Sequence, residues 1–232
     1  MKICIAQTSS VKGDIEATIE GHLNWIAQAI NQNADLIVFP ELSLTGYEPE
    51  LANDLAIDLN DNRLDAFQEV SDTQNIIIGV GAPLKAEHGT YISLILFQPK
   101  QARSSYSKQY LHKDEEPIFV CGPRASGVLN TEPPIALAIC YEISIPEHAE
   151  SASQHGASIY LASVAKTVNG VKKANQRLSE IAAEYGMTVL MSNCVGPCDG
   201  DTGGGQSAIW NEYGEQVDVL SDQEEGILTY YA

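Results

Sequence analysis

Short apolar runs alternate with segments of helical periodicity along the chain. Residues 36–39 and 135–139 are continuous apolar runs, which is typical of strands covered on both faces. Between a first predicted strand at 3–7 and the run 36–39, apolar residues recur every three or four positions over 15–30, and Asp14 precedes them. This spacing predicts an amphipathic helix capped by Asp14, and hence a β-α-β unit in a mixed α/β fold.

The same alternation continues to the end of the chain. Helices are predicted through 67–70, from the stretch after 140 to about 156, and over 171–185; strands are predicted over 76–80, 91–97, 158–162, 188–192, 206–210, 216–220 and 226–230. Residues 105–119 form a predicted long loop of mixed charges and aromatics, and the glycine-rich residues 199–205 form a predicted flexible loop. Neither an internal repeat nor a linker interrupts the pattern, so we expect a single domain over residues 1–232.

The charge and hydrophobic content of the chain exclude some classes of binding partner. The chain has 31 acidic and 13 basic residues, a formal net charge of −18, so nucleic acid and anionic membranes would repel it. No apolar stretch reaches transmembrane length and the start lacks a signal-peptide pattern, so we expect a cytoplasmic protein with no membrane partner. Hydrophobic residues make up 44% of the chain, which is enough for a sizeable core without disulfides.

The cysteines and glycines do not point to a metal or a cofactor. Five cysteines, an odd number, favour a reducing compartment over a disulfide framework. Cys194 and Cys198 are the only close pair, and no second pair completes a zinc site. The run 203–205 lacks the Gly-Lys-Ser/Thr that follows in a phosphate-binding loop. We therefore predict no metal and no cofactor.

Three residues stand where chemistry could occur. Cys140 directly follows the apolar run 135–139, and in open α/β sheets ligands gather at the carboxyl ends of strands. A nearby helix start would lower the pKa of the thiol, although a buried core cysteine is the commoner interpretation of such a stretch alone. Glu41 follows the strand 36–39 in a nearly uncharged segment, which favours an inward-facing glutamate, and Lys108 lies in the long loop.

Three segments together resemble the glutamate, lysine and cysteine motifs of the nitrilase, or carbon–nitrogen hydrolase, superfamily, in the expected order. The segments are Phe39-Pro40-Glu41 with Leu44-Thr45-Gly46-Tyr47, Tyr106-x-Lys108 with Leu111, and Ile139-Cys140-Tyr141-Glu142 with Pro146-Glu147. The resemblance implies a four-layer α-β-β-α sandwich of the nitrilase type. It also implies that subunits pair through helices, as a homodimer or a higher homo-oligomer.

The resemblance assigns roles to individual residues. Cys140 would be the nucleophile and Glu41 the general base, while Lys108 and the backbone N–H of Tyr141 would stabilise the oxyanion. Relatives often carry a second glutamate after the lysine. Glu115 fits that position best by spacing, and its neighbour Glu116 remains an alternative.

The sequence indicates the type of reaction more clearly than the identity of the substrate. Tyr141 follows the nucleophile where relatives that hydrolyse nitriles often carry tryptophan, which favours an amide or carbamoyl substrate. Tyr47, Tyr141, Val164 and Ala165 are the expected substrate-binding residues. The arginine that many relatives carry shortly after the position of Glu142 is missing, so the sequence offers no arginine-based argument for a carboxylate-bearing substrate.

The leading prediction is therefore a hydrolase that cleaves the carbon–nitrogen bond of a small linear amide through a cysteine thioester, releasing ammonia or an amine. Alternatives with the same three residues are an N-carbamoyl hydrolase and a nitrilase, and a different class is a non-catalytic binding protein on the same fold. A Cys–His hydrolase would need one of five histidines. His148 and His155, on the predicted helix after Cys140, are expected to face solvent rather than the thiol.

Overall fold

Fourteen strands and five α-helices make up the structure, a computed structural model that describes residues 1–232. The strands are β1 (Lys2–Gln7), β2 (Leu36–Val38), β3 (Ile77–Ala86), β4 (Gly89–Phe97), β5 (Ser104–Ser107), β6 (Val128–Leu129), β7 (Ile135–Ile139), β8 (Ile159–Ser163), β9 (Thr188–Ser192), β10 (Val195–Cys198), β11 (Asp201–Gly204), β12 (Ala208–Trp210), β13 (Gln216–Val219) and β14 (Gly226–Tyr231). The helices are α1 (Ile15–Asn31), α2 (Ala52–Leu55), α3 (Asp65–Gln74), α4 (Pro146–Gln154) and α5 (Val168–Tyr185), with short 3₁₀ helices at Pro49–Leu51, Asn62–Leu64 and Cys140–Ser144.

Two six-stranded sheets form the centre of the molecule. The first sheet has the order β14-β1-β2-β3-β4-β5, and the second sheet has the order β13-β12-β9-β8-β7-β6. In each sheet three neighbouring strands are parallel: β1, β2 and β3 in the first, β7, β8 and β9 in the second. These strands are the apolar runs of the sequence, because a parallel strand covered on both faces needs no polar alternation.

Alternation of side chains along β1 shows how the layers are stacked. Ile3 and Ile5 belong to the core that includes residues of the second sheet, whereas Cys4 and Ala6 belong to the core between the first sheet and helices α1 and α3. Helices α4 and α5 pack on the second sheet. The order of layers is therefore helices, sheet, sheet, helices, which confirms the four-layer α-β-β-α sandwich.

The sequence pattern predicted the start of the first helix correctly but not the position of the first strand in its sheet. Helix α1 begins where the sequence predicts, with the carboxylate of Asp14 accepting a hydrogen bond from the N–H of Ala17. The first strand does not lie at an edge, however, because β14 pairs with it on the side away from β2. No helix of the structure combines the length and the apolar character needed to cross a membrane.

The glycine-rich segment 199–205 was expected to be a flexible loop, and this expectation is wrong. Residues 201–204 form β11, which pairs with β10 in an antiparallel hairpin. The N–H of Gly204 also donates to the carbonyl of Lys166 at 2.8 Å. Lys166 is far away in the chain, but β10 directly precedes the turn Asp199-Gly200, and this dipeptide is typical of two-residue hairpin turns.

Candidate active site

Glu41, Lys108 and Cys140 each follow the carboxyl end of a strand. β4 and β5 are antiparallel to their neighbours, so β5 runs in the same direction as β2. Glu41 after β2 and Lys108 after β5 therefore lie at the same edge of the first sheet. Cys140 follows β7 of the second sheet, and the two sheets are joined at this edge because Ser163 Oγ donates to the carbonyl of Phe39 at 2.8 Å.

Glu41 lies in a tight turn that packs directly against β3. A Cβ atom on Gly81 would lie 2.2 Å from the carbonyl oxygen of Pro40 and 2.4 Å from the nitrogen of Leu42, so only glycine allows this approach. Leu42 adopts a φ of +50°, which reverses the chain immediately after Glu41. The turn therefore directs Glu41 into the protein, where its side chain is buried.

Lys108 is fixed by backbone contacts on both sides. Its N–H donates to the carbonyl of Ile92 at 2.8 Å, and its carbonyl accepts from the N–H of Gly122 at 2.7 Å. A Cβ atom on Gly122 would lie 2.3 Å from the carbonyl oxygen of Ser107, so glycine is again required. The backbone at Lys108 is thus held as firmly as a strand, although it lies just beyond β5.

Cys140 occupies a strained backbone position. Its φ is +41°, in the left-handed region, which costs a non-glycine residue about 1–3 kcal/mol. The chain turns here from β7 into the 3₁₀ helix 140–144. Tyr141 lies in the first turn of that helix, where backbone N–H groups lack an intrahelical acceptor. The turn therefore holds the buried thiol of Cys140 beside the N–H of Tyr141, as strand-to-helix nucleophile turns do.

The charged side chains of Glu41, Lys108 and Glu115 form one buried cluster, and the thiol of Cys140 lies next to it. The ammonium of Lys108, with 0% of its side chain exposed, donates to Glu41 Oε1 at 2.8 Å and to Glu115 Oε1 at 2.6 Å. Glu41 Oε2 is buried without a hydrogen-bond partner, and the thiol of Cys140 lies close enough to Glu41 to affect its pKa. One carboxylate oxygen is therefore held by the lysine while the other remains free to accept a proton.

Burial and charge set the protonation states of the cluster. Burial raises the pKa of Glu41, and the charge of Lys108 lowers it in part. Burial would lower the pKa of Lys108, but the charges of Glu41, Cys140 and Glu115 raise it above its ordinary value. Burial and the charge of Glu41 raise the pKa of Cys140 to about 11. At neutral pH the thiol is therefore protonated and needs a base, while the lysine remains a cation.

Glu115, which spacing favours, and its alternative Glu116 differ sharply in the structure. Glu115 is buried, and it accepts hydrogen bonds from Lys108, from the hydroxyl of Tyr47 at 2.8 Å and from the N–H of His112 at 2.7 Å. Glu116 is exposed. The structure therefore brings Glu115 into the cluster and leaves Glu116 outside it.

Glu142 has a structural role that the sequence did not reveal. Its carboxylate accepts from the N–H of Gln109 at 2.7 Å, the N–H of Ile139 at 2.8 Å and the hydroxyl of Tyr106 at 2.9 Å. Burial raises the pKa of Glu142 to about 7, although these hydrogen bonds oppose the shift. Glu142 thus joins the backbone beside Lys108 to the backbone beside Cys140, and positions the two residues relative to each other.

The expectation that His148 faces solvent is wrong. His148 is buried, and its ring nitrogens contact the hydroxyls of Tyr106 and Tyr160, each at 2.8 Å. Burial lowers the pKa of His148 to about 4, so the ring is neutral near pH 7. The two tyrosines come from distant strands, which is why the helix sequence did not show them. His155 is exposed as expected.

A second lysine near the thiol was missed by sequence analysis. The ammonium of Lys166 faces Cys140, which raises the pKa of Lys166. The buried amide of Asn193 fixes the backbone there: the N–H of Lys166 donates to Asn193 Oδ1 at 2.7 Å, and Asn193 Nδ2 donates to the carbonyl of Lys166 at 3.1 Å. No local motif marks Lys166, since only the pairing of β7 with β8 brings its segment beside Cys140.

The four expected substrate-binding residues occupy different surroundings. Tyr141 lines a cavity of about 430 Å³ together with Lys166. Tyr47 is half-buried and bonded to Glu115. Val164 is fully buried, and Ala165 packs against Cys194 and Cys198. Of the four, only Tyr141 lines the cavity, and substrate binding by all four stays a prediction.

Known proteins match this chain over most of its length. The family model described as carbon-nitrogen hydrolase matches residues 2–231. Among solved structures, an amidase from Nesterenkonia sp. AN1 superposes with a TM-score of 0.90 at 23% identity, covering 100% of this chain and 92% of that one. At this identity the likeness shows the shared fold.

Curated relatives include an (R)-stereoselective amidase of a Pseudomonas species, 29% identical over 163 residues that cover 69% of this chain and 59% of the relative. A glutamine-dependent NAD(+) synthetase of Acinetobacter baylyi is 28% identical over 223 residues, which cover 92% of this chain and 41% of the relative. The chain thus spans between 41% and 59% of the length of these two relatives. With the family model matched from residue 2 to residue 231, the chain belongs to the carbon–nitrogen hydrolase family.

Proposed function

We propose that the chain is an amidase that hydrolyses the carbon–nitrogen bond of a small amide through a thioester on Cys140. One observation carries the proposal: Lys108 holds one oxygen of a buried Glu41, while the other oxygen has no partner and the thiol of Cys140 is adjacent. A nucleophile, a base and a fixed cation thus converge at one point, which is what acyl transfer from an amide requires.

In the first half of the proposed reaction, Glu41 accepts the thiol proton and the sulfur of Cys140 attacks the amide carbon. The carbonyl oxygen becomes an oxyanion, stabilised by the ammonium of Lys108 and the N–H of Tyr141. Glu41 then gives its proton to the nitrogen, the carbon–nitrogen bond breaks, and ammonia or an amine leaves. The acyl group remains on sulfur as a thioester.

In the second half, Glu41 removes a proton from water, whose oxygen attacks the thioester carbon. The new oxyanion is stabilised by the same donors. Its collapse breaks the carbon–sulfur bond and releases the carboxylic acid, and the proton held by Glu41 returns to the sulfur of Cys140. Lys108 remains protonated throughout, because its pKa is raised by the surrounding negative charges.

The names of the relatives support an amide rather than a nitrile as substrate. One is an (R)-stereoselective amidase, several are glutamine-dependent, and a solved form of the Nesterenkonia amidase is in complex with butyramide. Plant nitrilases are also among the relatives, so N-carbamoyl compounds and nitriles belong in the test.

The proposal is tested by measuring ammonia release from a panel of amides, including butyramide and glutamine, together with N-carbamoyl compounds and nitriles. Cys140→Ser should abolish release, whereas Cys121→Ser, at an exposed cysteine, should leave it unchanged. Mass spectrometry of rapidly quenched wild-type protein should find the acyl group on the peptide that contains Cys140. Turnover that persists in Cys140→Ser would refute the nucleophile, and no turnover of any compound would favour a binding protein.

The assembly and the compartment also belong to the proposal. As the family resemblance implies, we infer a homodimer paired through helices, and five free cysteines suit a reducing compartment such as the cytoplasm. Sedimentation velocity should give the mass of two chains. The mass of one chain at all concentrations would contradict the dimer without affecting the proposed chemistry.

A further inference from the structure

The cavity that Tyr141 and Lys166 line carries a charge opposite to that of the chain as a whole. Three of the 13 lysines and arginines, Lys166, Lys173 and Arg177, line this cavity of about 430 Å³, and Glu180 is the only acid among its lining residues. The chain otherwise carries 31 acids. A protein of net charge −18 repels anionic molecules, so a locally cationic cavity is a specific departure from its surface.

The three cations are not equally available to a ligand. Arg177 donates to the carbonyl of Ile143 at 3.2 Å, and its guanidinium lies 3.5 Å from Glu180 and 3.8 Å from Glu184. Lys166 and Lys173 form no ion pair with any carboxylate of the chain. The cavity therefore has about two positive charges without an ion-pair partner near its wall, which suits a small anionic group such as a carboxylate.

Lys166 also connects the cavity to the thiol. It lines the cavity, faces Cys140, and belongs to a segment whose backbone is fixed by Asn193. Tyr141, which follows Cys140 in the chain, lines the same cavity, whereas Glu41, Lys108 and Cys140 themselves do not. A ligand anion that contacts Lys166 would therefore lie beside the segment that carries the thiol. The cavity volume falls within the range of small-molecule sites.

We propose that the cavity selects amides that carry a carboxylate, such as half-amides of short dicarboxylic acids, with Lys166 as the principal recognition residue and Lys173 as a weaker, outer one. This inference rests on the proposed amidase function and specifies its substrate class. It also replaces the arginine-based recognition that the sequence lacked, since the cations come from the segment after β8 and from α5 rather than from the segment after Glu142.

The test compares half-amides of malonic, succinic and glutaric acid, each with a matched amide in which an isopropyl group replaces the carboxylate. Wild-type protein should prefer the charged member of at least one pair by about tenfold to hundredfold in kcat/KM, the usual worth of a hydrogen bond to a charged group. Lys166→Met should lower this ratio about tenfold or more, mainly through KM, and Lys166→Arg should retain most of it. Lys173→Met should lower it less.

Lys172 offers a matched control, because it is exposed on α5 next to Lys173 and does not line the cavity. Lys172→Met makes the same change in net charge and should leave the ratio as in wild type. If Lys172→Met lowers the ratio as much as Lys166→Met, the preference comes from overall charge and the inference is wrong.

The failure of this inference and the failure of the amidase function give different results. Hydrolysis of both members of every pair without preference for the charged one would overturn the inference and leave the function standing. If neither member of any pair is hydrolysed, calorimetric binding to Cys140→Ala decides. Tighter binding of the half-amides supports the inference, while equal or absent binding overturns it.

Discussion

Two lysines flank the thiol of Cys140, and their surroundings are opposite. Lys108 has no exposed side-chain surface and holds two carboxylates, from Glu41 at 2.8 Å and Glu115 at 2.6 Å. Lys166 is half-buried, lines a cavity and has no carboxylate within ion-pair distance. The same residue type therefore serves two different purposes within one site.

The difference lies in how the charge is compensated. A buried ammonium needs opposite charge to offset its lost hydration, so the positive charge of Lys108 is already balanced by the carboxylates that it orients. Such a cation can stabilise an oxyanion that forms within the cluster. The ammonium of Lys166 remains partly hydrated and forms no ion pair with a carboxylate. Its charge therefore remains available to an incoming anion.

The largest expected effect comes from Lys108→Met. The change leaves Glu41 and Glu115 buried without their cation, so we expect a loss of about 3–5 kcal/mol in the free energy of unfolding. We also expect kcat for any amide to fall by about a hundredfold to a thousandfold, as when one oxyanion donor is removed. Urea unfolding and steady-state kinetics measure the two effects.

Lys166→Met is the matched comparison, since it removes the same group from the other side of the thiol. We expect a much smaller loss in its free energy of unfolding, about 1 kcal/mol or less, because Lys166 is half-buried and leaves no buried carboxylate without its cation. Equal destabilisation by the two variants would contradict the distinction between the two lysines. In Lys108→Met the pKa of Glu41 should rise further, so that variant should regain stability as the pH falls towards 4.5, the ordinary pKa of a glutamate.

The second prediction concerns Glu142, which holds the backbone beside Lys108 but does not contact Lys166. Its folded pKa of about 7 exceeds the ordinary 4.5, so the protonated form is the one that the fold favours. The stabilising contribution is complete below pH 4.5 and is lost as the pH rises through 7, a change of about 3 kcal/mol. Glu142→Gln cannot titrate, so the slope of unfolding free energy between pH 4.5 and 7 should flatten. An unchanged slope would contradict this assignment.

Glu41 and Lys166, which both lie near the thiol of Cys140, should give different pH dependences of activity and of substrate preference. Glu41 must be ionised to accept a proton, and its pKa is raised by burial, so kcat/KM should fall about tenfold per pH unit below a midpoint that lies above 4.5. Lys166 has a raised pKa and remains charged until above pH 10.5, so the preference for charged amides should persist wherever the substrate carboxylate, with an ordinary pKa of about 4, is ionised. Loss of the preference together with activity at a pH where that carboxylate is still ionised would refute the separation.

The smallest expected effect comes from Tyr47→Phe. It removes one of three hydrogen bonds to Glu115 and leaves Lys108 in place, so we expect a loss of about 1 kcal/mol in unfolding free energy and a decrease of less than about tenfold in kcat. The ratio of activity on charged and uncharged amides should not change, because Tyr47 does not line the cavity. A change in that ratio would show that the cluster around Glu115 and the cavity around Lys166 are coupled.

Sequence analysis located the catalytic candidates and the main elements because each rests on a local pattern. The apolar runs before Glu41 and Cys140 predicted the strands, and three short motifs in order indicated the residues at their ends. Spacing favoured Glu115 over Glu116 but left Glu116 as an alternative, since adjacent positions on a loop have similar local signals. Only the fold, which buries Glu115 and exposes Glu116, distinguishes them.

Other features depended on partners outside the local segment or on a missed turn. The buried state of His148 depends on Tyr106 and Tyr160, which are 42 and 12 residues away and are not revealed by the helix sequence. The strand 201–204 pairs with β10 across the two-residue turn Asp199-Gly200, a hairpin signal that the interpretation of 199–205 as a flexible loop overlooked. A polar side chain on a helix is predicted to face solvent unless the groups that satisfy its hydrogen bonds in the protein interior are known.

The sequence by itself determined the order of strands and helices, the excess of negative charge and the three motif residues Glu41, Lys108 and Cys140. The tertiary structure alone decided which charges meet: it enclosed Lys108 between two carboxylates and left Lys166 facing a cavity. The physical reason is that strand and helix patterns are local, whereas electrostatic energies depend on burial and on distances between groups far apart in the chain.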